Sequence, residues 1–222
     1  MKIMRLTLFD LDHTLLSGDS DVLWCDFLMC KGVLDKEMFA ARNADMEARY
    51  KIGTVGLQEF ADFYVGTLAG RTAQQWEPLR QEFLAQWIVP RVSNAAIALV
   101  DKHLEAGDLV VMTTATNRFI TELTAIYLNI EHLIATEPEQ KDTGFTGRTI
   151  GQLNMRDGKV TRLKEWMKAR GLRLKDCIST AYSDSINDLP LLHSVNQPVA
   201  VSPDAKLAAI AQASGWPVLH LH

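Results

Sequence analysis

After Pro90 the chain alternates between helical stripes and short apolar runs, and this order limits its fold more than any other feature. Ala96, Leu99, Val100, His103 and Leu104 share one helical face that ends at Gly107, and Leu109–Met112 follows as an apolar strand. The step recurs: a helix over Phe119–Leu128 leads to His132–Ala135, and one over Lys159–Arg170 leads to Cys177–Tyr182, with a last strand at Val199–Val201. Alternation of this kind argues for a parallel sheet covered by helices on both faces. The expected class is α/β with a doubly wound parallel sheet. Ligands of such sheets gather beyond the carboxyl ends of the strands.

A first strand is expected over about Ile3–Phe9. The residues that follow, up to Pro90, show helical stripes and no clear strand, which predicts an inserted helical unit. The expected division is a core of residues 1–16 and 91–222 and a helical cap of residues 17–90. In the cap, Trp76, Leu79, Phe83 and Trp87 recur at helical spacing as a packed face, and Pro90 stops the run. The glycine-rich stretch Gly144–Gly158 reads as a loop or a small hairpin over the site.

Composition narrows the function classes. A chain of 222 residues with 47% hydrophobic residues can bury a real core, and a net charge of -4 offers no broad basic field for nucleic acid. Cys25, Cys30 and Cys177 show no metal-ligand spacing and fit no disulfide framework, which points to a reducing cytoplasm. Met1–Phe9 is too short for a signal peptide, and no run approaches the roughly 20 apolar residues of a membrane span. The end His220-Leu221-His222 reads as frayed surface.

The chemistry collects at the strand ends. Asp10 and Asp12 emerge where the first strand runs out; residues two apart on a strand share a face, and two such carboxylates need a cation or a shared proton. Thr113-Thr114-Ala115-Thr116-Asn117 ends the second strand, and Ser183-Asp184-Ser185-Ile186-Asn187-Asp188 ends a later one, with Lys159 opening a helix between them. These are groups suited to a phosphate and a magnesium ion. Mg²⁺ takes a few hard oxygen ligands and keeps waters, which Asp10, Asp184 and a carbonyl near Asp12 can satisfy. Thr116 and Asn117 read as caps of the next helix.

Asp10-Leu11-Asp12-x-Thr14, Thr114, Lys159 and Asp184-x-x-x-Asp188, in this order, resemble the haloacid dehalogenase superfamily over nearly the whole chain. A helical insertion directly after the first motif is similar to its phosphoserine phosphatase-like branch. Gly18-Asp19-Ser20-Asp21 with Trp24, and Val199–Asp204, look most like a bacterial group that includes histidinol-phosphate phosphatases. The resemblance implies a Rossmann-like core, a Mg²⁺ cofactor and phosphomonoester hydrolysis through an aspartyl-phosphate. It implies Asp10 as nucleophile and Asp12 as acid-base partner, with Asp10, Asp12 and Asp184 around the metal. Thr114, preferred over Thr113 by this alignment, and Lys159 would bind phosphoryl oxygens, supported by Asp188 and Asn187. Ser183 replaces the usual glycine before Asp184, placing a hydroxyl near the metal or tightening the turn.

Substrate choice is expected in the cap. Asp19, with Asp21, is placed to meet a cationic amine or imidazole, although both also suit capping of an apolar helix. A small phosphorylated metabolite such as histidinol phosphate fits. Phosphoserine, the alternative, also wants a cation for its carboxylate, for which Arg42 and Arg49 are candidates. A phosphomutase or phosphotransferase would use the same core.

Overall fold

A computed structural model describes residues 4–51 and 54–222. Its centre is a seven-stranded sheet ordered β4-β3-β2-β1-β5-β6-β7. The strands are β1 (Met4–Phe9), β2 (Leu109–Asn117), β3 (His132–Lys141), β4 (Gly144–Ile150), β5 (Cys177–Ser183), β6 (Gln197–Val201) and β7 (Val218–Leu219). All pairings are parallel except β3 with β4. Ile3, the expected first residue of β1, lies outside the described residues.

β1 runs between β2 and β5, with Phe9 opposite both Met112 and Tyr182. Strand alternation then sorts the core into two layers. Leu6 and Leu8 pack with Val111, Ala181, Leu163 and Met167 on one face, while Phe9, Met112 and Tyr182 join the opposite cluster. Each fully buried apolar side chain of this kind contributes about 1.5–3 kcal/mol. Asp10 is thereby delivered, with its backbone N–H donating 3.0 Å to the carbonyl of Tyr182, to the carboxyl edge of the sheet.

Four helices, α1 (Ser20–Cys30), α2 (Lys36–Lys51), α3 (Leu57–Val65) and α4 (Ala73–Phe83), lie between β1 and α5 (Asn94–Glu105). The later helices are α6 (Arg118–Tyr127), α7 (Asp157–Lys168), α8 (Leu189–Ser194) and α9 (Ala205–Ser214). Among the described residues none is long and apolar enough to cross a membrane. Trp24 and Trp76 meet edge to face at 5.7 Å, and both indole N–H groups are satisfied inside the core, by Thr67 Oγ1 and the Leu68 carbonyl. The aromatic stripe is less regular than its spacing implies. α4 closes at Phe83 and residues 84–88 widen into a π turn before Pro90, so Trp76 and Phe83 are buried while Leu79 and Trp87 are only partly so.

The 144–158 stretch resolves into the antiparallel β3–β4 hairpin and a loop. Gly144 is required there, because a β-carbon would lie 2.5 Å from the main chain of Arg71. The hairpin also reaches α3, where Thr149 donates its N–H to Asp62 at 2.8 Å. The frayed tail expected at the carboxyl end is corrected: β7 pairs with β6, Leu221 is buried, and the His222 Nε2 lies 3.0 Å from the Thr14 carbonyl. Val218 and Leu219 supply the edge strand, and Leu221, set between two histidines, is buried.

Candidate active site

A cavity of about 200 Å³ opens at the carboxyl ends of β1, β2 and β5. Asp10, Asp12, Asp19, Asp21, Asp184 and Asp188 line it together with Lys159, Arg156 and Asn187. The chain turns sharply after Asp10, and Thr14 is folded back beneath it: its hydroxyl is 3.1 Å from Asp10 Oδ2 and 3.3 Å from Asp184 Oδ1, and it accepts the Asp184 N–H at 3.1 Å. One hydroxyl proton cannot serve two carboxylates. Burial, and then the neighbouring carboxylates, push Asp184 up to about 8.

Lys159 Nζ supplies the opposite charge, at 2.7 Å from Asp10 Oδ1 and 2.6 Å from Asp188 Oδ2. All three side chains are buried. Burial alone would lower the lysine, but the two carboxylates more than offset it and hold the ammonium protonated. Burial raises Asp10 to about 7 against the pull of Lys159. Ser183, expected near a metal or as a turn constraint, instead donates its hydroxyl to Asp188 at 2.8 Å. It therefore aims the carboxylate that holds Lys159.

Asp12 faces the other way. Its Oδ1 accepts the Ser20 N–H at 2.7 Å, and its Oδ2 lies 2.9 Å from the Thr116 hydroxyl and 3.3 Å from that of Thr114. Burial, reinforced by Asp19, raises Asp12 to about 6. The Thr116 hydroxyl also lies 3.2 Å from Asp21 Oδ2. If Thr116 donates to Asp12 it can only accept from Asp21, which must then carry a proton. Burial and the charge of Asp19 push Asp21 well above the carboxylate range, consistent with this.

Thr114 is fully buried with its hydroxyl 3.3 Å from Asp12 Oδ2, while Ala115 and Thr116 line the cavity. Thr116 is not a helix cap; Asn117 takes that role alone, accepting the Ile120 N–H at 3.2 Å. Arg49 lies on α2 away from the cavity, paired with Glu59 at 2.9 Å and Asp45 at 3.5 Å. Arg42 likewise does not line it and sits over the Phe63 ring. Asp19 caps α1 through the Val22 N–H and lines the cavity as well.

Sequence reasoning also passed over the loop before α7. Asn154 is fully buried, and its Nδ2 reaches Thr113 Oγ1, the Thr114 carbonyl and the Ile134 carbonyl at 2.9–3.0 Å, pinning this loop to β2 and β3. Asn154→Ala should therefore cost about 1–3 kcal/mol in urea unfolding, from the buried acceptors it leaves unpaired. An unchanged transition midpoint would count against that role. Two residues on, Arg156 has φ 50° and ψ -125°, the first central geometry of a type II′ turn closed by Gly158 N–H to the Met155 carbonyl at 2.8 Å. A non-glycine residue there costs about 1–3 kcal/mol. The sequence signal was the Asp157-Gly158 pair just before Lys159.

A family model for haloacid dehalogenase-like hydrolases matches residues 7–193, spanning every strand-end group above. The chain belongs to the haloacid dehalogenase-like hydrolases. Among its relatives, a histidinol-phosphatase of Neisseria meningitidis is 38% identical over 97% of this chain and 98% of its own. A Bordetella pertussis protein of unknown function has a solved structure that superposes with a TM-score of 0.96 at 43% identity, with both chains covered completely. A substrate-bound phosphoserine phosphatase shares the fold at a TM-score of 0.69 and 17% identity, over 99% of this chain and 94% of that one. The hydrolase is a phosphatase of the phosphoserine phosphatase-like branch.

Proposed function

We propose that this hydrolase is a Mg²⁺-dependent phosphomonoesterase that works through an aspartyl-phosphate on Asp10, with histidinol phosphate as the foremost substrate. The observation that carries the reading is the set of groups around Asp10: Lys159 on one oxygen, Thr14 shared with Asp184 on the other. Two buried carboxylates that share one hydroxyl proton suit a divalent cation. Among the described residues no three His, Cys, Asp or Glu side chains cluster as a ready-made metal cage. A site of two carboxylates, a main-chain carbonyl of Asp12 and waters is nonetheless the kind Mg²⁺ favours. When bound, the ion would neutralise Asp10 and Asp184 and draw charge from the phosphoryl oxygens.

An oxygen of Asp10 attacks phosphorus while the bond to the leaving oxygen breaks, and Asp12 gives that alkoxide its proton. Water then attacks the aspartyl-phosphate with Asp12 as base, and phosphate departs from Asp10. Lys159 holds the negative oxygens of the transferring group, fixed in place by Asp188 and Ser183. Thr114 and Thr116 keep the acid-base carboxyl aimed, and Asn187 lines the cavity. The residues 17–90 act as the cap. Asp19 and Asp21 there favour a cationic leaving group, whose charge would displace the proton held by Asp21.

Phosphate release from a panel of esters tests this. Histidinol phosphate should exceed glycerol phosphate in kcat/KM by at least about 10-fold, and Asp21→Asn should erase most of that ratio. EDTA should stop all hydrolysis and Mg²⁺ restore it. Equal rates on charged and neutral esters would refute amine recognition, and isomer formation without phosphate release would instead indicate a phosphomutase.

A further inference from the structure

Arg156 is the observation that the scheme above leaves unused. Among the described residues six carboxylates line the cavity against two Lys or Arg cations, and Lys159 is already matched by Asp10 and Asp188. The carboxylates of the lining oppose a phosphate dianion, and the ammonium of Lys159 is in contact with two of them. Among the described residues Arg156 is the other Lys or Arg of the lining: it is exposed, and no described carboxylate lies within ion-pair range of its guanidinium. By contrast Arg5, Arg49, Arg80, Arg118, Arg162 and Arg173 all sit in ion pairs.

Its placement is also held at a cost. The left-handed backbone at Arg156 suits glycine, and the turn is locked: a β-carbon at Gly158 would lie 2.2 Å from the Leu153 carbonyl oxygen, and Asn154 anchors the preceding residues to the sheet. A strained residue kept at a cavity mouth is a candidate for function. The Arg156 carbonyl accepts the N–H of Lys159 at 3.1 Å, so both cations approach the cavity from the amino end of α7. A guanidinium offers a planar fork of donors that matches two phosphate oxygens, a geometry that the single ammonium of Lys159 does not have.

We propose that Arg156 is a substrate-binding residue that clamps the phosphoryl group of the incoming ester from the solvent side of the cavity. This rests on the phosphomonoesterase reading. Because the clamp grips the group common to all substrates, its loss should act alike on every ester, independent of the leaving group.

The experiment compares wild type, R156G and R156A with Mg²⁺, using p-nitrophenyl phosphate as substrate and inorganic phosphate as competitive inhibitor. In both variants KM and the phosphate inhibition constant should rise roughly 10–100-fold, the loss of one charge-assisted contact pair, while kcat changes less than about 3-fold. The rise should shrink as salt is added. R156G should in addition melt at a higher temperature than R156A, since glycine relieves the backbone strain and alanine does not. Unchanged KM and inhibition constant in either variant would overturn the clamp. So would a fall in kcat with both constants intact, which would mean that Arg156 acts only by positioning Lys159. Absence of hydrolysis by the wild type would be a failure of the phosphomonoesterase reading, and phosphate binding to the Mg²⁺-loaded protein, measured by calorimetry, would still decide the clamp.

Discussion

Asp10→Asn is expected to lower phosphomonoester turnover by at least about 10⁴-fold while leaving the protein as stable as before or more so. The amide keeps the shape of the carboxylate but has no nucleophilic oxygen to receive the phosphoryl group, so the first chemical step is lost. Stability should respond in the opposite sense. A carboxyl whose folded value is raised from 3.8 to about 7 disfavours the folded state increasingly as pH climbs through that window, and the full penalty persists above it. Removing the charge removes the penalty, and Lys159 retains Asp188 as a partner. Melting curves at pH 5 and pH 8 alongside rates of phosphate release separate the two effects. A variant that hydrolyses esters at the wild-type rate would end the aspartyl-phosphate mechanism, whereas a folded, inactive and undestabilised one is the expected result.

The parts of this fold that the sequence announces are those whose burial leaves a periodic trace. Leu109–Met112 is a continuous apolar run and Cys177–Tyr182 a largely buried one with Ser179 and Thr180 inside it, because helices cover both faces of the sheet, and the helices before them carry one apolar stripe each. β4 leaves no such trace: Gly-Phe-Thr-Gly-Arg-Thr-Ile is a half-exposed edge strand whose Gly144 serves a close approach to Arg71 and whose Gly147 serves one to Gly66 and Ala69. The acids of the site were legible for a related reason, since the end of a parallel strand fixes where its next residues go. Direction was harder to read. Arg49 was a candidate because a helix is amphipathic in sequence before its orientation against the sheet is known, and in the fold its charge is spent on Glu59. Thr116 and Asn117 competed for one cap, and hydrogen-bond geometry awarded it to Asn117 because Thr116 was needed between Asp12 and Asp21. Arg156 depends on a positive φ that the residue type argues against, so only coordinates reveal where that side chain goes.

Lys159→Met should produce the largest combined loss, and its two components can be pulled apart. The buried ammonium is the one cation between Asp10 and Asp188, and breaking a buried pair by removing one partner costs about 3–5 kcal/mol because a carboxylate is left uncompensated. Protonation softens that cost. In the variant Asp10, raised by burial to about 7 even beside Lys159, loses the charge that holds it down, so the destabilisation should be small near pH 4 and grow as pH rises toward 8. Adding Asp188→Asn removes one of the stranded charges and should recover much of the stability. It should not recover catalysis, because the charge that faced the transferring phosphoryl group is still missing; turnover should remain down by roughly 10²–10³-fold in both the single and the double variant. Urea unfolding across this pH range, with ester hydrolysis measured on the same preparations, provides the check. If the double variant regained activity together with stability, Lys159 would be a structural counterion to two acids and no part of the reaction, and the contact at 2.7 Å to Asp10 would lose its mechanistic meaning.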